Sequence, residues 1–336
     1  MIDVRLSIMR RLLEAGDNNE GVILYPHIGA DGDALGSSLA LYLVLKKLDL
    51  NVWLLLDEPV SPKLRFMPEW QSAIVFVDEA ANEWQSRQRL ALAIDCADSD
   101  RTGRRRVVFD EAECQMALDH HVSSGESKNL RLIDAQAAAT AEIIADLISD
   151  LEGHLQVKLM DRDIASLLMT ALISDTGRFV YSNTTARSFK TAAWLMEYEP
   201  DLRLITYQLF DLSSQVRLRL MGRLFTDAEF CLDGRLAIAV VDQKLLDEYS
   251  ATEHDIEGIV SQLRNVSGVE VSFVLRQLKD GSVKVNIRSS DGFNASEFAR
   301  GYGGGGHPKA AGMTLKNSEL HQVADMLKQD AGRYLQ

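Results

Sequence analysis

The order of apolar and polar residues changes character part-way along the chain. In the first two-thirds, short apolar runs at 22–25, 52–56, 73–77, 90–94 and 115–118 have the length of strands. Helical spacing opens the chain and recurs at 35–48, 137–151 and 161–173, the last with Ile164, Leu167, Leu168 and Ala171 on one face. This alternation predicts an α/β fold whose N-terminal domain has a mainly parallel sheet flanked by helices. Residues 185–224, rich in Leu and Arg, predict almost continuous helix. Beyond them, 236–241, 269–276 and 283–288 alternate like strands, with Lys279-Asp280-Gly281 as a hairpin turn. Residues 255–264 and 320–334 carry helical spacing. The expected layout is a domain over 1–190, a helical linker over 191–220 and a smaller α+β C-terminal domain over 221–336.

Composition narrows the function classes. With 336 residues, 46% hydrophobic and 25% charged, the chain is neither collagen-like, coiled-coil nor wholly disordered. Its 36 Lys and Arg face 49 Asp and Glu, a formal net charge of −13. An extended duplex-binding surface is usually basic, so a long duplex is not an expected partner. A local anion site remains compatible, since bound cations invert the local field. Cys96, Cys114 and Cys231 form no CxxC spacing, which argues against a disulfide framework or a structural zinc finger. The opening residues lack the continuous apolar core of a signal peptide. No apolar run nears the roughly 18 residues of a membrane span. A soluble, cytoplasmic protein with no membrane partner is the expectation.

Several apolar runs end on the same kind of residue. VILYP leads to His27, Asp31 and Asp33; LALAI to Asp95; MAL to Asp119-His120-His121; LLMTALIS to Asp175. Ligands of open α/β sheets bind beyond the carboxyl ends of strands, so these scattered residues can converge. Imidazoles and carboxylates without thiolate suit Mn²⁺ or Mg²⁺, with imidazole favouring Mn²⁺. Asp31 and Asp33 flank Gly32, whose backbone freedom lets both carboxylates turn inward. Without cations they would repel, raising one pKa. Two metals sharing a carboxylate, about 3.5–4 Å apart, would remove that penalty. Each segment also has a plainer reading: a polar turn with Asp33 capping a helix, two surface histidines, lone acids before turns.

The last chemistry-bearing segment is RGYGGGGHPKAAG, residues 300–312. Its glycines allow close approach to a ligand, and a helix start after Pro308 would offer free N–H groups to an anion. His307 and Lys309 add donors. Upstream, Arg288 and Ser289 end a strand, and arginine is the residue suited to bidentate phosphate contact. The segment reads as an anion or nucleotide cradle.

Taken in order, HIGADGDALGSS, AIDCADSDRTG, LDHH, ISDTGRF and GGGGHPKAAG resemble the motifs of the DHH phosphoesterase superfamily and the DHH-associated domain, over nearly the whole chain. The two-domain layout is similar to the group that hydrolyses nanoRNA, linear dinucleotides such as pApA or pGpG, and 3′-phosphoadenosine 5′-phosphate (pAp). The resemblance implies two Mn²⁺ ions, with Mg²⁺ or Co²⁺ as substitutes. His27, Asp31 and Asp95 would hold one ion. Asp33, Asp95, His120 and Asp175 would hold the other. Asp119 would orient a histidine, and His121 would face the scissile phosphate. Arg288, Ser289, His307 and Gly304, Gly305 and Gly306 would bind substrate. Short RNA or DNA oligonucleotides and nucleotides are the implied partners, with a homodimer left open. Exopolyphosphatase or pyrophosphatase-like activity, or a non-catalytic nucleotide sensor, are the alternatives.

Overall fold

The computed structural model describes residues 2–121, 130–316 and 318–335. The chain separates into two compact units, Met1–Leu212 and Ser213–Gln336.

The first unit is built on a six-stranded, wholly parallel sheet. Its strands are β1 (Gly21–Pro26), β2 (Asn51–Leu56), β3 (Ala73–Val75), β4 (Leu90–Ile94), β5 (Cys114–Asp119) and β6 (Leu130–Ile133). They lie in the order β3-β2-β1-β4-β5-β6. The direction of progression reverses between β1 and β4, and in open α/β sheets that switch point is where ligands bind. The helices are α1 (Ile2–Asp17), α2 (Gly32–Lys47), α3 (Ala81–Arg87), α4 (Arg106–Phe109), α5 (Thr140–Leu155), α6 (Arg162–Asp175), α7 (Ala186–Met196) and α8 (Leu202–Thr206).

The strands bury both faces, which is why they read as apolar runs without alternation. Leu24, Leu54, Leu92 and Leu118 join a core with Leu12, Leu39, Ile144 and Leu168. Their neighbours Ile23, Leu55, Ala93 and Ala117 join a second core with Phe76, Trp84, Val108 and Phe109. Edge strand β6 escapes the sequence pattern because it is four residues long and carries Arg131.

Residues 185–224 are not the continuous helix expected. Helix α7 ends at Met196; α8 starts after Pro200 and runs on into a π-helical turn, Tyr207–Asp211; α9 spans Gln215–Asp227. Proline disfavours helical backbone in the residue before it, and Glu199 is left-handed with φ of 55°. Asp201 and Ser214 then accept from Leu204 N–H and Arg217 N–H, starting new helices. Leu195, Ile205 and Leu209 pack in the core of the first unit, whereas Leu220 and Leu224 of α9 pack in the second.

The second unit has a mixed sheet, β11-β12-β10-β9-β8-β7, made of β7 (Glu229–Cys231), β8 (Leu236–Val241), β9 (Val271–Gln277), β10 (Val283–Ser289), β11 (Gly305–His307) and β12 (Ala310–Leu315). Only β8 and β9 are parallel; the other pairs are antiparallel. Helices α10 (Gln243–Tyr249), α11 (Ile259–Arg264), α12 (Ala295–Arg300) and α13 (Leu320–Tyr334) accompany α9. The alternation of β10 puts Val283, Val285 and Ile287 into a core with Phe273, Phe298 and Leu327. Among the described residues no helix is long and apolar enough to cross a membrane.

Candidate metal centre

The loops after β1, β4 and β5 open at the switch point and carry the predicted residues. His27 directly follows β1, Asp95 directly follows β4, and Asp119 ends β5 just before His120 and His121. Helix α2 starts at Gly32, after a short loop from β1. Asp31 is its N-cap, accepting from Asp33 N–H and Ala34 N–H, so the cap is Asp31 and not Asp33. Gly32 is the first helical residue, with no positive φ. Its value is close packing, because a Cβ there would meet Ser174 Oγ at 2.4 Å. That approach lays α2 against α6 and brings Asp175, the last residue of α6, to the cluster.

Three overlapping sets of side chains have ligand atoms within 4.8 Å of one another: His27, Asp31 and Asp95; Asp33, His120 and Asp175; and Asp95, His120 and His121. Asp95 belongs to the first and third sets, its Oδ2 lying 3.4 Å from His27 Nε2 and its Oδ1 3.5 Å from His120 Nε2. His120 Nε2 is also 3.8 Å from Asp33 Oδ2 and 3.4 Å from Asp175 Oδ2.

The ring protons follow from the partners. His27 Nδ1 lies 2.8 Å from the Ile28 carbonyl and His120 Nδ1 3.3 Å from the Ala137 carbonyl. A carbonyl only accepts, so each Nδ1 carries a proton. In the neutral ring this leaves the Nε2 lone pair facing carboxylates, the tautomer of a metal ligand. His120 Nε2 is buried and has no hydrogen-bond partner among the described residues. Asp33 is fully buried and Asp95 is 2% exposed. Burial, with the charges of Asp95, Asp175 and Asp31, raises the Asp33 pKa well above the ordinary carboxylate range. Burial and the same kind of repulsion, from Asp31 and Asp95, push Asp175 up to about 6, against the pull of His120. At His27 burial disfavours the charged ring, but contacts with Asp95, the Ile28 carbonyl and Asp31 raise its pKa overall. An orphaned buried imidazole nitrogen among crowded carboxylates is a donor set that fits divalent cations.

His121 differs from its neighbour. Its Nδ1 lies 2.8 Å from Asp119 Oδ1, which also accepts from its backbone N–H at 3.0 Å. The Asp119 hydrogen bond raises the His121 pKa. Burial opposes ionisation of Asp119, yet the His121 contacts hold its pKa below the usual value. The ring is half-exposed, 48% by side chain.

In the second unit, the expected helix after Pro308 is a hairpin. β11 and β12 pair antiparallel, with His307 opposite Ala310, and Pro308-Lys309 make the turn. The Ala-Ala-Gly-Met-Thr-Leu run of β12 pairs instead with β10, whose carbonyls and N–H groups it satisfies. Gly306 has φ of 143°, and a Cβ there would meet the Ala310 carbonyl at 2.4 Å. Arg288, Ala310 and His307 form one row across β10, β12 and β11. Residues paired across a sheet share a face, so Arg288 and His307 project alike from strands about 10 Å apart. Gly305 lies two rows away, with Gly312 and Asn286, and Gly304 packs against Met313. Arg288 Nη1 donates to the Ile287 carbonyl, and buried Ser289 donates to the Pro308 carbonyl. Lys309 pairs with Asp291 at 2.7 Å.

Residues around the cluster that sequence reasoning missed hold it in place. Arg105, fully buried, donates to the carbonyls of Thr102, Leu55 and Pro26, tying the end of β1 beside His27. Asn183 Nδ2 donates to the Ala138 and Asp175 carbonyls. No motif marked them, because most of their partners are backbone groups distant in sequence.

Residues 21–172 match the DHH family, N-terminal domain, and residues 233–333 match the DHHA1 domain. The bifunctional oligoribonuclease and PAP phosphatase NrnA of Thermus thermophilus is 34% identical over 94% of this chain and 90% of its own. The chain belongs to the DHH family. The NrnA of Bacillus subtilis is 27% identical to this DHH chain over 88% of it and 89% of the relative. An exopolyphosphatase-related protein from Bacteroides fragilis shares the fold, with a TM-score of 0.87 over 98% of both chains at 20% identity. The DHH tripeptide itself is Asp119-His120-His121.

Proposed function

We propose that this chain is a metal-dependent phosphodiesterase and phosphatase that hydrolyses short oligonucleotides and pAp in the cytoplasm. The observation that carries this reading is the Asp95 carboxylate, one oxygen toward His27 and the other toward His120, inside a cluster with a buried imidazole nitrogen that has no partner among the described residues. The names of the NrnA relatives supply the substrate class. Residues 1–190 are the catalytic part, 191–220 the linker and 221–336 the substrate-binding part.

His27, Asp31 and Asp95 are assigned to one cation; Asp33, Asp95, His120 and Asp175 to a second. Two Mn²⁺ ions bound there would acidify a water and neutralise phosphoryl oxygens. The chain's own residues do the rest. Asp119 keeps the proton on His121 Nδ1 and favours the imidazolium, so the outward Nε2 offers a proton to the scissile phosphate or its leaving oxygen. Arg288, Ser289, His307 and Gly304–Gly306 are assigned to the substrate beyond the scissile phosphate. The support for Arg288, His307 and the glycines is the shared face of Arg288 and His307 and the Cβ-free strip beside it; Ser289, on the buried face of β10, would act by holding the Pro308 turn.

A panel of pAp, pApA, pGpG, RNA of increasing length, polyphosphate and pyrophosphate with Mn²⁺ tests this. The expected result is mononucleotide release from di- to pentanucleotides with higher kcat/KM than from long strands, and much weaker pyrophosphate cleavage. A preference for pyrophosphate or polyphosphate overturns the substrate assignment; no turnover of any member overturns the enzymatic reading.

A further inference from the structure

Thr140 is a buried hydroxyl residue with an unusual partner. Thr170, Thr176 and Thr226 turn their hydroxyls back onto the carbonyl four residues earlier, as helical threonines commonly do. Thr140, the first residue of α5, instead reaches Asp95 Oδ1 at 2.7 Å. An ionised carboxylate only accepts, so the hydroxyl is the donor. The backbone N–H of the same residue donates to Asp33 Oδ2 at 2.6 Å, and that of Ala141 to Asp33 Oδ1 at 3.1 Å. One residue thus grips two carboxylates, Asp33 from the first turn of α2 and Asp95 from the loop after β4.

Asp95 needs such a grip. It is a non-glycine residue in the left-handed region, with φ of 60°, a conformation that persists where surroundings over-determine it. Its side chain points one oxygen toward each histidine. Rotation of the carboxylate about its own bond would lose both directions. The Thr140 hydroxyl opposes that rotation by holding Oδ1.

The grip is rigid because the loop before α5 is secured from behind. Arg187 of α7 pairs with Asp134 at 2.6 Å, with Glu142 at 3.3 Å and with Asp146 at 3.0 Å. Glu142 accepts from Ala138 N–H, and Asn183 donates to the Ala138 carbonyl. Ala137, in the same loop, supplies the carbonyl that orients His120. Helix formation begins only at Thr140, three residues later than the hydrophobic pattern suggests, which leaves these backbone groups free to do so.

We propose that Thr140 is a positioning residue whose hydroxyl sets the Asp95 carboxylate in the orientation that joins the two halves of the metal centre. It touches no substrate and acts through Asp95. This inference rests on the assignment of Asp95 as the shared ligand.

The test is calorimetric titration of Mn²⁺ into the metal-free full chain, with electron paramagnetic resonance of the loaded protein. Wild type, Thr140→Val, Thr140→Ser and Asp95→Asn are compared. Thr140→Val is expected to weaken Mn²⁺ binding about 10- to 100-fold, the range for partners that orient metal ligands, and to diminish the exchange-coupled signal of paired ions. Thr140→Ser keeps the hydroxyl and is expected to restore both. Circular dichroism in chelator checks folding; if the valine variant does not fold, Thr140→Ala carries the same comparison. Wild-type affinity and coupling in a hydroxyl-free variant overturn the inference. So does a serine variant as impaired as valine, since the methyl group would then be what matters. If wild type binds no pair of ions, or Asp95→Asn binds the pair unchanged, the shared-ligand assignment itself fails.

Discussion

The two sheets present polar groups in opposite ways. In the first unit the chemistry lies at the carboxyl ends of parallel strands, where buried Asp33 and Asp95 gather beside partly buried His120 and against the first turn of α5. In the second, Arg288 and His307 stand on the face of a mostly antiparallel sheet, partly or fully exposed. Strand ends bring several loops to one point, so charge can be concentrated until only cations relieve it. A sheet face spaces its side chains by strand separation, which suits contacts spread along an extended anion. On the proposed assignment the first arrangement serves bond breaking and the second holding.

The sharpest way to break this contrast is Asp95→Ala. It should lower kcat/KM for a dinucleotide by more than about 100-fold, beyond the range for groups that merely orient ligands. Near-normal turnover in a steady-state assay would mean that the buried cluster is not the reacting centre. Arg288→Ala should cost about 1.5–3 kcal/mol, roughly 13- to 160-fold in kcat/KM, the size of a charge-assisted hydrogen bond. Calorimetric Mn²⁺ affinity should stay at the wild-type value in that variant. Loss of metal binding would show that the division of labour is wrong.

Gly306→Ala should destabilise the second unit by about 1–3 kcal/mol, because the backbone conformation and the Ala310 carbonyl both exclude a Cβ. Chemical denaturation followed by hydrogen exchange should place the loss in residues 213–336; a uniform loss across the chain would contradict it. The smallest effect concerns pH in the presence of chelator. Asp33 and Asp175 have folded-state pKa values above the unfolded ones, Asp175 at about 6. Protons therefore bind the folded state more tightly, and the stability from these groups, full below about pH 4, is lost as pH rises through 6. Asp175→Asn should accordingly stabilise the metal-free protein more at pH 7.5 than at pH 4. Equal effects at both values in urea titrations would remove the repulsion argued for the cluster.

Several features were legible without coordinates. Val22, Leu90 and Met116 lie in strands buried on both faces, and such strands announce themselves as apolar runs. The acids and histidines at their ends were visible because strand ends are where an open sheet puts its ligands. The second unit was harder. Pro308 followed by Lys-Ala-Ala looks like a helix start, but β10 offered an unpaired edge and those residues completed it. Pairing partners distant in sequence overrode the local preference. The break at Pro200 carried a signal, and the Leu-rich pattern on both sides outweighed it.

By itself the sequence determined which side chains can bind metal, in what order they arrive along the chain, and to which family the chain belongs. Only the tertiary structure decided how they are held. Thr140, Asn183, Arg105 and Arg187 act through backbone carbonyls, backbone N–H groups and carboxylates 41 to 107 residues away. Such contacts have no local periodicity. They exist because a parallel sheet and its crossover helices carry distant loops to one edge, where each buried polar group must find a partner or bear the cost of having none.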